Sequence, residues 1–133
     1  MNPLEEVRSK ISEYPGYENR DTRSLADELV RGYAGRRLAE VGARLNGALL
    51  QSTREEFDAV LFRCQFTNQT AFKTFVEAEG TKFESLVAAD ATLIDLADRS
   101  GDVSQESMEG FLKDLTAALD GRDAAMDASP SAA

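Results

Sequence analysis

Asp90 is the residue whose position in this sequence most needs a chemical explanation. It falls one turn after Leu86 and one turn before Ile94, inside a stripe of Phe83, Leu86, Val87, Leu93, Ile94 and Ala97. Helical spacing puts that stripe on one face, toward a core. A carboxylate there needs a base or several hydrogen-bond donors, because an unpaired charge in an apolar interior is untenable. Asn68 poses the same question in neutral form, one turn beyond Cys64 and one turn short of Phe72. A buried amide left without partners costs about 1–3 kcal/mol. The expectation is a polar network at a helix junction, with Arg63, Arg36 and Tyr33 as candidate partners of Asp90. The alternatives are a small-ligand pocket lined by Phe66, Asn68 and Asp90, or an aspartate that reaches solvent.

Other chemistry is thinly provided for. Histidine is absent and cysteine occurs once, as Cys64. That removes the commonest general base and metal ligand, and leaves no thiolate set for zinc. Cys64 lies on an apolar stripe, which reads as a core thiol in a reducing compartment rather than a nucleophile. The glycines at 32, 35, 42 and 47 follow no strand and precede no lysine–serine pair, so a phosphate-binding loop is not indicated. Asp95, Asp98 and Asp102 lack calcium-loop spacing. Glu56, Glu77, Glu79, Glu84 and Asp90 could converge on facing helices, but a di-iron bundle needs glutamate-x-x-histidine pairs. A carboxylate magnesium site stays conceivable; solvated helix faces explain most of these acids. The sequence therefore assigns no catalytic residue, cofactor or metal, and leaves open whether the chain is an enzyme.

The elements that would position these residues are all helical. Asn2 caps a helix from Pro3 to Tyr14 with an apolar stripe of Leu4, Val7, Ile11 and Tyr14, ended by Pro15-Gly16. Tyr14 and Tyr17 flank that stop and are expected to lid the core, hydroxyls toward solvent. A second helix runs from Asp21 or Thr22 toward Leu50, but its faces conflict. Leu25, Leu29, Gly32 and Tyr33 lie nearly opposite Val30, Ala34, Leu38, Val41, Leu45 and Leu49. Either both sides are covered, or the helix bends or breaks near Gly32–Gly35. Gly35, Ala39, Gly42 and Ala43 would let a neighbour approach closely.

Ser52 and Glu55 form a capping box for a third helix, and Thr81 and Glu84 form another for a fourth. These two are expected to make an antiparallel hairpin around Gly80. The third buries Phe57, Val60, Leu61, Cys64, Ala71, Phe72, Phe75 and Val76. The fourth closes at Arg99-Ser100-Gly101. A fifth, capped by Asp102 or Ser104, carries Met108, Phe111, Leu112, Leu115 and Leu119 and ends at Gly121. No stretch sustains strand-like alternation. The expected fold class is all-α, a five-helix bundle-like single domain over 1–121. A flexible acidic, Ala/Ser-rich tail over 122–133 is expected to follow.

Charge bears on partners. The net charge is -9, and residues 1–50 carry eight acids and eight bases, so the excess lies in 51–133. Such a surface repels nucleic acid and anionic lipid at long range. The basic patch with an aromatic around Arg31, Tyr33, Arg36 and Arg37 is too short to reverse that. With Arg44 these arginines make a candidate interaction surface for an acidic partner or the acidic half of a second copy. No apolar run approaches a membrane span or a signal peptide, which points to the cytoplasm. The functional expectation is a non-catalytic protein-interaction or self-assembling module. The alternatives are a small-ligand binder or enzyme around Asp90, and a nucleic-acid-associated protein using Arg31–Arg37.

Overall fold

A computed structural model describes residues 2–45, 47–66, 72, 75 and 83–128. Among them are five long α-helices and no strand: α1 (Pro3–Lys10), α2 (Arg23–Arg44), α3 (Gln51–Gln65), α4 (Glu84–Ala97) and α5 (Met108–Ala128). The chain is an all-α five-helix bundle. Helices α2, α3, α5 and α4 close a ring, each packing on the next, and α1 lies on the outside of α4. The turn of the expected third–fourth hairpin, around Gly80, lies outside the described residues. Among the described ones α3 and α4 stand diagonally, α3 packing on α2 and α5 and α4 on α1, α2 and α5.

Local chemistry explains most boundaries. Asn2 Oδ1 accepts from the Glu5 amide at 2.9 Å and Pro3 opens α1. That helix stops at Lys10, four residues earlier than expected, with Ile11 already extended. The chain then turns at Pro15-Gly16, where Gly16 has φ 76°. The capping box expected at the third helix is not seen. Leu50 precedes α3 without a side-chain cap, so Ser52 lies inside the helix. Thr81 lies outside the described residues, and Phe83 precedes α4 without a side-chain cap. Ser104 and Ser107 hydrogen-bond to each other's backbone ahead of α5.

Helix α2 is unbroken through Gly32 and Gly35 and ends at Arg44, before the expected Leu50. Its buried stripe of Ala26, Val30, Ala34, Leu38 and Val41 wins over the competing face, where Leu25 is 45% exposed. Small residues do bring α3 close. A Cβ on Gly35 would stand 3.3 Å from Cys64 Cβ, and one on Gly42 only 2.5 Å from Phe57 Cζ. Ala39 and Ala43 are exposed. Arg44 reaches the segment after α4, donating to the carbonyls of Ser100 and Val103 at 2.8 Å each.

The largest departure is at the C-terminus. The last helix does not end at Gly121; α5 continues to Ala128. Leu115, Ala118, Leu119, Arg122 and Met126 follow one another at helical spacing and are all buried. That burial carries the helix through a glycine whose intrinsic cost is only about 1 kcal/mol. By composition alone the segment from Arg122 reads as a tail, because its side chains are mostly small or charged. One of those charges turns out to sit at the centre of the molecule.

Candidate functional site

Asp90 is buried with 0% exposure, and it faces the ring's interior from the middle of α4. Its Oδ2 accepts from the hydroxyls of Tyr14, at 2.7 Å, and Tyr17. Its Oδ1 accepts from Arg122 Nε at 2.6 Å. Arg122 in turn donates from Nη2 to Asp27 Oδ1 at 2.9 Å and to the Tyr17 oxygen at 3.3 Å. Asp27 Oδ2 takes Arg31, Nε at 2.9 Å and Nη2 at 2.8 Å, one turn along α2. Arg31 also ties the end of α3 by donating to the Cys64 carbonyl at 3.1 Å. Four helices and the Pro15–Tyr17 turn thus meet in one network. Its two carboxylates and two guanidiniums balance.

A wall of aromatics seals one side. Arg23 Nε donates to the Tyr17 carbonyl at 2.7 Å while its guanidinium lies 4.4 Å over the Phe83 ring. Tyr17, Phe75 and Phe83 meet edge to face, at 5.3 Å and 5.7 Å between centroids. Burial pushes the Asp90 carboxyl above its ordinary range, and the Arg122 guanidinium and the two tyrosine hydroxyls pull against that. Burial likewise raises both tyrosine hydroxyls, with the Asp90 charge adding to it, so they remain donors. Asp90 thus has three donors from the protein and is closed off from solvent.

The expected partners of Asp90 are elsewhere. Arg63 pairs with Asp120 at 2.9 Å and Asp123 at 3.2 Å. Tyr33 donates to Asp98, and Arg36 is exposed. Asn68 lies outside the described residues. The tyrosines whose hydroxyls were expected in solvent are each 1% exposed and point inward. Nor do the four arginines of the expected interaction surface make one face. Arg31 is buried in the network and Arg44 is held by backbone carbonyls. Arg37 pairs with Asp98 and Glu40, at 3.5 Å and 3.6 Å.

Cys64 is buried, and burial pushes its thiol up to about 11, against the opposing pull of Arg31, Arg122 and Arg63. This is the reverse of what a nucleophilic thiolate needs. Among the described residues no group of histidine, cysteine, aspartate and glutamate is arranged to hold a metal. No described helix is long and apolar enough to cross a membrane.

Among the described residues the surface has several concave places and an exposed aromatic pair. A cleft of about 620 Å³ lies between α1, the Pro15–Glu18 turn and the start of α4. A shallow groove of about 500 Å³ runs between α2 and α3. The smallest hollow, about 180 Å³, has Arg31, Arg63 and Arg122 in its walls. Those guanidiniums do not make an anion site, since Asp27, Asp90, Asp120 and Asp123 already engage them. At its mouth stand Phe62 and Phe66, 60% and 57% exposed, with ring centroids 4.8 Å apart. Sequence periodicity does not single out Phe62, which lies off the buried stripe of Val60 and Cys64, and Phe66 enters only as a wall of the expected ligand pocket.

These features define a helical bundle centred on a closed charge network, with Phe62 and Phe66 at the end of α3 among its exposed apolar groups. The chain matches no family model, no curated protein and no solved structure.

Proposed function

We propose that the chain is a non-catalytic protein-interaction module, and that the end of α3 bearing Phe62 and Phe66 is its contact face. The observation that carries this reading is the exposure of two neighbouring rings one helical turn apart. Aromatic side chains exposed in a pair cost solvation in the free protein, and they are the groups that most often anchor a protein contact. The groups that might have done chemistry are spent on one another in the core. A different protein suits the face better than a second copy, because two copies at -9 each repel one another at long range. The arginines of the Arg31–Arg37 patch lend little to a nucleic-acid reading, since Arg31 is buried in the network and Arg37 is paired with Asp98.

Site-specific photo-crosslinking in the cell of origin tests this. A photoreactive phenylalanine analogue at position 62 or 66 should give the same discrete adduct, absent when it stands at Leu25 or Leu50. Identical bands from all four exposed positions, or none at 62 and 66, would refute the contact face.

A second reading rests on the cleft beside α1. Its size, its apolar walls of Leu4, Tyr17, Phe83 and Val87, and the nearby Arg8 and Glu18 suit a small amphipathic molecule.

A further inference from the structure

We infer that the outward face of α3 takes a positively charged protein segment that seats an apolar side chain against Phe62 and Phe66. The inference rests on the interaction-module reading above and names the partner's chemistry. Glu55, Ala59, Phe62 and Phe66 recur at i, i+4, i+7 and i+11, and all four are exposed. They form one stripe along the helix, with Asp58 exposed one turn before Phe62. The adjacent helix α5 adds Asp120, 67% exposed, and the half-buried Asp123, both joined to Arg63.

An arriving segment therefore meets two aromatic rings among four carboxylates and one guanidinium. That guanidinium is already committed to two of the four carboxylates. The excess of negative charge continues over the whole chain, at -9. A field of this sign speeds the encounter with a cationic partner and slows that with an acidic one. The ring faces add to the preference, since a lysine or arginine over an aromatic ring is attracted by its quadrupole. The combination fits an amphipathic helix with an apolar row and flanking bases, one of the common modes of peptide recognition.

The test uses the full chain and a labelled helical peptide of leucine and lysine, with a leucine–glutamate peptide of the same pattern as its counterpart. Fluorescence anisotropy should show the lysine peptide binding, and more weakly as salt rises. F62S/F66S should weaken binding about tenfold, as loss of a central anchor does. E55Q/D58N, which removes charge and leaves the rings, should weaken binding several-fold and flatten its salt dependence. Circular dichroism of each variant checks that the bundle is intact, and since the two variants change different residues, either alone keeps the inference testable. Equal binding of both peptides, or binding to F62S/F66S within twofold of the parent, overturns the inference. Crosslinks at 62 and 66 without any preference for the lysine peptide would sink the charge assignment alone. Failure of both experiments would sink the module reading with it.

Discussion

Arg122 on α5 holds Asp90 on α4 through a 2.6 Å bond between residues 2% and 0% exposed. The pair joins the last two helices, and Asp27 and Arg31 extend it to α2. Taking these ions out of water costs several kcal/mol each, so their value lies in being complete.

Removing both partners should accordingly cost much less than the two single removals added together. D90N and R122M are each expected to lose about 3–5 kcal/mol in urea unfolding, because each leaves a buried charge uncompensated. In D90N/R122M the loss should fall well short of the sum, with Asp27 still paired to Arg31. Single variants within about 0.5 kcal/mol of the parent would mean that water reaches the network.

The tyrosine hydroxyls should rank in a defined order. Y14F and Y17F each remove a donor from Asp90 and should cost about 1–3 kcal/mol. Y17F should be the larger, since the Tyr17 oxygen also accepts from Arg122. Equal or reversed effects in thermal unfolding would contradict that geometry.

Gly121 reports on where the last helix ends. Nothing lies within 4 Å of a Cβ built there, and the residue is well inside α5. G121A should therefore stabilise the protein by about 0.5–1 kcal/mol. A destabilised G121A would instead indicate a helix stop at that position.

Gly42 should behave in the opposite way. A Cβ there would lie 2.5 Å from the Phe57 ring. Overpacking costs typically about 1–3 kcal/mol, more than the helix-propensity gain of about 1 kcal/mol. G42A should lower the melting temperature in the parent and raise it in an F57L background.

Cys64 gives a chemical readout of the same core. With its thiol pushed up to about 11 and buried, it should resist alkylation in the folded protein and react promptly in denaturing urea. Fast labelling without denaturant would contradict the burial of the α2–α3 contact.

Helical periodicity made the all-α fold legible, because the stripes of α1, α4 and α5 repeat over several turns with few competing signals. It also singled out Asp90, whose burial can be read from Leu86 and Ile94 on either side. Its partners could not be read, since a network between helices is fixed by packing that spacing along one helix does not encode. Two weak signals were nonetheless present. Asp27 and Arg31 stand one turn apart beside the stripe of Ala26, Val30 and Ala34, and Arg122 continues the spacing of Leu115 and Leu119. The glycine at 121 outweighed that second signal on paper, and tertiary burial outweighs the glycine in the fold. Nothing in the local pattern of Phe62 and Phe66 says that two large rings stay exposed, so Phe66 reads as a pocket wall and Phe62 is not singled out.

Amide chemical shifts of the isotopically labelled chain, followed as the leucine–lysine peptide is added, test the proposed division between structural core and working surface most directly. Saturable shifts should cluster on α3 from Glu55 to Phe66 and on α5 near Asp120, with Asp90 and the Tyr14–Tyr17 turn unmoved. Shifts centred instead on Leu4, Tyr17 and Val87 would place the working surface at the cleft beside α1 and contradict the assignment made for α3.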